Sequence, residues 1–475
     1  MVIQSTKPDK KSSNALGAFG KWLTHVGRGW QAFFQMIIEG DWATKLSVLI
    51  MGFGSLARRQ IVKGLLFLGS EIAFIIFYAR FGWQYVKDLG TLGVVEQSRV
   101  LDPATGIRMV VPGDNSMLIL LYSVLTLATL LPLIMIWKAN IRASYLAQKR
   151  AEQKIPQPSF VADARTLLDK RYHMTLMSFP LISLALFTAL PILFMILIAF
   201  TNFDKMHQPP GHLFGWVGIQ NITDIFAGNP FYQQTFFGVL LWTFIWAIFA
   251  TATNYIFGMI LALLINKEGI NYKKMWRTFF VITIAVPQFV SLMLVSKLFA
   301  ETGIVNQILL NLNLVKSPVP FFENPNLARV MAIVINMWVG VPYTMLMTTG
   351  ILMNIPAELY ESANVDGASP VRTFFSITLP YMLFVTGPYL ITTFVGNINN
   401  FNVIYLLTAG GPLAQNYYRA GKTDLLVTWL YKLTVDEQNY SLASTIGILI
   451  FVIVSIVSLL AYNLTGSVKK EDQFS

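Results

Sequence analysis

The chain has 475 residues, of which 55% are hydrophobic and only 12% charged, and its mean hydropathy is +0.56. Soluble domains carry about 25% charged residues, so neither an ordinary soluble enzyme nor a long disordered chain fits. The net charge of +11 fits the positive-inside bias of a multispanning protein. Nucleic-acid binding is disfavoured, because no basic stretch is interleaved with aromatic residues in a polar context.

Residues 1–14 are polar, with Lys7, Lys10 and Lys11, and no secretory h-region follows them promptly. They read as a cytoplasmic tail. Residues 15–40 set Trp22, Trp30, Phe33 and Phe34 among basic residues and read as an amphipathic helix on the membrane surface. Residues 43–58 are apolar, short and glycine-broken, and end in Arg58-Arg59; a surface or re-entrant segment is expected.

A bilayer core of about 30 Å takes about 20 apolar residues of helix. Eight stretches qualify: 62–86, 116–138, 176–200, 236–265, 278–299, 328–353, 380–407 and 441–464. The expected fold is therefore all-α and polytopic. An even count places both termini on the cytoplasmic side. The basic 139–173 and 266–277 connectors then lie inside, and the slightly acidic 87–115 and 300–327 loops lie outside. The spacing of spans changes near residue 175. This divides the chain into an N-terminal segment (1–60), an accessory two-span region (61–174), a core (175–465) and a polar tail (466–475). The tail carries Lys469, Lys470, Glu471 and Asp472.

One inside loop breaks the charge rule. Residues 354–379 carry Glu358, Glu361 and Asp366 against Arg372 alone. The loop reads Glu361-Ser362-Ala363-Asn364-Val365-Asp366-Gly367-Ala368, then Ile377, Leu379 and Pro380. Gly367 can take positive φ and end a first short helix. The small side chains of Ser362, Ala363 and Ala368 allow another surface to come close, and Glu361 and Asp366 offer charge to basic partners. Pro380 suits the first turn of the next helix.

Two apolar spans carry polar faces. Asn336, Gly340 and Tyr343 are spaced i, i+4, i+7, and Thr393, Asn397 and Asn400 repeat that spacing. Amides inside a span need partners or a wet cavity. Two such faces suggest the walls of a polar pocket, though interhelical bonding would use the same residues. Uncharged amides, hydroxyls and a Tyr ring suit a sugar, whereas an ion path calls for ionisable groups.

The 361–380 pattern resembles the EAA loop of bacterial ABC importer permeases, with Ser362 in place of the usual Ala. Asn336-Met337-Trp338-Val339-Gly340-Val341-Pro342-Tyr343 and Thr393 to Phe401 resemble the larger membrane subunit of maltose/maltodextrin ABC importers, as does the Val217-Gly218-Ile219-Gln220-Asn221 approach to span four. The resemblance runs over 175–465 and implies a MetI-like permease core. It implies that 354–380 couples to a cytoplasmic ATPase through Glu361, Ser362, Ala363, Asp366, Gly367 and Ala368. It implies sugar contacts at Asn336, Val339, Gly340, Tyr343, Thr393, Asn397 and Asn400. Gln288 stands where the family has Ser; Ile284 and Gly396 stand where it has Tyr and Phe. Those departures suggest a roomier site, for longer maltodextrins or another oligosaccharide.

The family's partners are a second permease subunit, two ATPase subunits and an extracellular sugar-binding lipoprotein. The large periplasmic insertion of that subunit has no counterpart here, which suggests a Gram-positive-type homologue. The same architecture for another sugar or polyol is the nearest rival, and an ion-coupled secondary transporter a more distant one. A membrane glycosyltransferase lacks its acidic constellation. No cysteines are present, and His25, His173, His207 and His212 lie apart. No catalytic, metal or cofactor site is expected. Ala420-Gly421-Lys422-Thr423 lacks the upstream glycine of a phosphate loop, since Asn416 stands there.

Overall fold

A computed structural model describes residues 15–101, 106–267 and 269–464, without the side chains of 15–23, 25, 26 and 464. The 1–14 segment, the 466–475 tail and the side chains of Trp22 and His25 lie outside the described residues. The chain forms two compact units. One comprises 1–194 with 209–215, and the other 195–208 with 216–475.

In the first unit, α1 (Ala15–Ile38) realises the amphipathic stretch. Trp30 stacks on Phe34, and the Lys138 ammonium lies 3.0 Å from the Trp30 ring centroid. The 43–58 segment folds into α2 (Trp42–Leu46) and α3 (Phe53–Leu56). After it come α4 (Ile61–Asp88), the antiparallel pair β1 (Ser98–Leu101) and β2 (Arg108–Val111), α5 (Ser116–Glu152), α6 (Phe160–Leu168) and α7 (Tyr172–Ile198), the last four residues of which belong to the second unit.

The short α2–α3 segment does not lie free. Asn140 of α5 accepts from the Gly52 amide at 2.8 Å and donates to the Ser47 carbonyl at 2.8 Å. Gln148 accepts from the Asp41 amide at 2.9 Å. Arg58 binds both Asp41 oxygens, at 2.7 and 2.6 Å, and its guanidinium also reaches Ser144 at 3.1 Å. A buried guanidinium needs such pairing, because desolvating it unpaired is costly. Span two therefore extends well past 138. The 37 residues of α5 measure roughly 55 Å at 1.5 Å per residue, and the first part of the charged connector is its helical extension. The hairpin at 98–111 has no counterpart among the expected elements. Its strands are exposed on both faces, so no period-two apolar pattern announces them.

The second unit contains α8 (Pro230–Asn266), α9 (Lys273–Ala285), α10 (Gln288–Leu298), α11 (Ile304–Asn311), α12 (Pro325–Leu352), α13 (Ala357–Val365), α14 (370–398), α15 (Phe401–Thr408), α16 (Leu426–Val435) and α17 (Tyr440–Leu464). Long α8 is the spine. It packs along α12 and α14, burying Trp242, Trp246, Ala250 and Ala332. Small residues at such seams let helices approach where no hydrophobic effect drives them together. Trp246 donates to the Asn397 carbonyl at 3.0 Å and Trp242 to the Thr423 carbonyl at 3.0 Å. These bonds tie α8 to the end of α14 and to the loop before α16.

Among the described residues, seven helices are long and apolar enough to cross a membrane, and α9 with α10 makes an eighth if the bent pair counts as one span. That pair bends by 86°. Pro287 sits at the break, where it removes an amide and clashes with the preceding turn. Expected span five is thus a broken element. Expected span seven begins earlier than 380: Pro370 takes its first turn, and a π-helical turn at Phe374–Thr378 precedes Pro380. The wider turn accommodates a proline that cannot donate. The span breaks again at Asn399-Asn400, before α15.

Candidate substrate cavity and coupling loop

The bend between α9 and α10 faces the middles of α8, α12 and α14. The five helices enclose a cavity of about 440 Å³, within the usual range of about 300–1,000 Å³ for ligand sites. Irregular backbone at membrane depth is tolerated where it lines such a space, and Thr283 to Gln288 do so here.

Of the residues singled out from sequence, Gln288, Val339, Gly340, Tyr343, Thr393 and Asn397 line the cavity. Asn397 donates from its amide to Thr251 at 2.9 Å. Two others do not line it. Asn336 is 4% exposed and buried in α12. Asn400 lies beyond the end of α14, so it does not continue the face of Thr393 and Asn397. Its side chain caps α15, accepting from the Val403 amide at 3.3 Å. Asparagine favours this role because its short side chain can satisfy an orphan amide at a helix start.

Span four adds residues that sequence reasoning passed over. Thr251, Asn254 and Tyr255 of α8 line the cavity, as do Ser291, Thr344 and Tyr389. A signal was present, because Thr251-Ala252-Thr253-Asn254-Tyr255 interrupts an otherwise apolar run. Trp338, Tyr343 and Tyr389 supply aromatic surface, and Trp338 and Tyr343 are 63% and 56% exposed. Ile284 lines the wall without a ring. Gly396 is not in the lining, and a side chain there would meet nothing within 4 Å. Among the described residues, no Asp, Glu, Lys, Arg or His lines the cavity.

The acidic loop forms a helix–turn–helix. α13 ends at Gly367, whose φ is +71°. The Ala368 amide donates to the Ala363 carbonyl at 2.9 Å and the Gly367 amide to the Asn364 carbonyl at 3.1 Å. This is the Schellman closure. Ser369 then caps the next helix, accepting from the Arg372 amide at 3.3 Å. Glu361, Ser362 and Asp366 are exposed, and Ala363 and Ala368 half-buried. Val365 and Val371 are 88% and 67% exposed. The loop thus presents apolar and acidic groups around a tight turn.

Fold and cavity define a polytopic helical membrane protein with an uncharged polar chamber between its spans. Residues 254–470 match the family model of the binding-protein-dependent transport system inner membrane component. The chain is 35% identical over 440 residues to the maltodextrin transport system permease protein MdxF of Bacillus subtilis (strain 168), covering 89% of this chain and 95% of that protein. It is 33% identical over 426 residues to the galactooligosaccharides transport system permease protein GanP of the same organism, covering 89% and 97%. A chain of a bacterial alginate ABC transporter crystallised with its alginate-bound periplasmic protein superposes with a TM-score of 0.52 at 22% identity, over 64% of this chain and 97% of that one. The chain belongs to the family of inner-membrane components of binding-protein-dependent transport systems.

Proposed function

We propose that this chain is the larger membrane subunit of an ATP-driven importer of neutral oligosaccharides, with maltodextrins as the first candidates. The observation that carries the reading is the cavity lining. Among the described residues it combines amides, hydroxyls and aromatic rings with no carboxylate, ammonium, guanidinium or imidazole. Hydroxyl-rich, uncharged ligands match it: amides and hydroxyls exchange hydrogen bonds with sugar hydroxyls, and Trp338 and Tyr343 cover the apolar C–H faces. An acidic polysaccharide would find no counter-charge there. The wall at Ile284, which carries no ring, leaves width that favours chains longer than a disaccharide.

Galactooligosaccharides are the second reading, favoured by the similarity to GanP. Both cargoes are neutral, so the lining does not separate them.

In this reading the protein does no chemistry itself. It pairs with a second permease, receives sugar from an external binding lipoprotein and engages two ATPase subunits through the 354–380 loop. Both termini face the cytoplasm, and 1–174 is accessory to the 175–465 core. α14 supports the coupling. It runs from Pro370, within the loop, through the π-helical turn at Phe374–Thr378 to Thr393 and Asn397 at the cavity. The 24 residues from Pro370 to Thr393 rise roughly 36 Å, so a shift of the loop reaches the cavity wall through one helical element.

The test is uptake into proteoliposomes by the assembled complex, with maltose, maltotetraose, galactotriose and an oligouronate as competing substrates. ATP-dependent entry of maltotetraose or galactotriose, with the oligouronate excluded, is the expected result. Entry of maltose alone would sink the wide-cavity argument, and entry of the oligouronate would sink the neutral-cargo reading.

A further inference from the structure

Asn254 lies near the middle of the seam between α8 and α12 and is 8% exposed. It lines the cavity, yet its side-chain oxygen is buried with no hydrogen-bond partner among the described residues. A buried amide left unpaired is unfavourable, and folded proteins rarely keep one without a use. The surrounding side chains leave it so. Thr251, one turn earlier, is engaged by Asn397. Tyr255, the next residue, is engaged by Thr386 at 2.8 Å. Thr344 turns back to the Gly340 carbonyl at 3.0 Å.

Gly340 explains how Asn254 fits. A Cβ built on Gly340 would overlap the amide nitrogen and carbon of Asn254. The glycine is needed here for close approach, because its backbone is ordinary helix. The missing side chain is the space that the Asn254 amide occupies.

We propose that Asn254 is a sugar-binding residue contributed by α8, and that Gly340 serves the site by housing its amide. The deduction rests on the reading of the cavity as an oligosaccharide site. The oxygen is buried where it stands, so engagement requires the Asn254 side chain to turn toward the cavity it lines, where a sugar hydroxyl, able both to donate and to accept, completes the amide. The site then discriminates against ligands lacking a hydroxyl at that point, because they would leave the amide unpaired. The gain is specificity, at the expense of stability in the empty protein.

The experiment uses the full reconstituted complex and maltotriose and galactotriose as probes. Asn254→Leu keeps the volume and removes the amide. ATP-driven uptake of the better-transported probe should fall about tenfold, the equivalent of about 1.4 kcal/mol. The melting temperature of the sugar-free complex should stay the same or rise, since an unpaired polar group has been removed. If Asn254 merely held helices together, the melting temperature would drop, and that result overturns the proposal.

A double-mutant cycle tests the role of Gly340. Gly340→Ala should slow uptake in the parent and have little further effect in Asn254→Ala, where room has been made. Equal losses from Gly340→Ala in both backgrounds, or uptake by Asn254→Leu within twofold of the parent, would refute the assignment while leaving the sugar-import reading intact. If the parent complex imports neither probe, the sugar reading fails and takes this assignment with it.

Discussion

At the scale of the residue, buried charge is the most demanding feature of the second unit. Asp424 is fully buried and accepts from the Lys432 ammonium at 2.6 Å, the Gly421 amide at 2.6 Å and the Thr428 hydroxyl at 2.8 Å. These bonds hold the 410–424 turn against α16. Asp424→Asn would strand an ammonium whose side chain is only 13% exposed. A loss of about 3–5 kcal/mol is expected, read as a large fall in the melting temperature of the detergent-solubilised protein. Pairing it with Lys432→Met should recover most of that loss. Asp114 makes the complementary case at a half-buried site. The Val94 and Val95 amides donate to its carboxylate at 2.7 and 2.9 Å and hold its pKa below the ordinary aspartate value of 3.8. A lowered carboxyl pKa means the stabilisation is fully present above that ordinary value and is lost as pH falls through the depressed one. Protection of the Val94 and Val95 amides, taken relative to the intrinsic exchange rate at each pH, should therefore fall on acidification below about pH 4, and Asp114→Asn should abolish that loss of protection.

At the scale of the element, function falls where helices are interrupted. The 86° bend at Pro287 opens the cavity wall, and the turn at Gly367 shapes the 354–380 loop proposed to couple. A non-glycine residue at φ +71° costs roughly 1–2 kcal/mol, small against the stability of a membrane bundle. Gly367→Val should therefore insert and fold, while uptake is lost and ATP hydrolysis by the complex persists. Normal uptake by this variant would refute the coupling role of the loop. The turn itself was readable from sequence, because Gly takes that backbone at a helix end with the least strain. The π-helical turn before Pro380 and the break at Asn399-Asn400 were not. Helical spacing was carried through Asn400 on the assumption of one continuous helix, and the chain instead uses that asparagine as a cap.

At the scale of the whole molecule, the protein is expected to act only within an assembly. Affinity purification of the tagged chain in mild detergent should retain an ATPase, with hydrolysis stimulated by binding protein loaded with maltodextrin. An ATPase that ignores maltodextrin but answers to galactooligosaccharide would keep the architecture and change the cargo. The absence of any ATPase would remove the basis for coupling at 361–380.

The sequence by itself determined the membrane class, the number of hydrophobic stretches and the acidic helix–turn–helix pattern at 361–380. These depend on apolar run length and on local residue pattern, and neither needs a tertiary partner. It also indicated six of the cavity residues, since polar groups inside apolar spans are conspicuous. Only the tertiary structure decided which polar groups meet. Asn336 and Asn254 are both amides in apolar helices, yet only Asn254 lines the cavity. That difference comes from helix rotation, the bend at Pro287 and the close approach of α8 to Gly340. Those are packing outcomes set by side chains far apart in the chain.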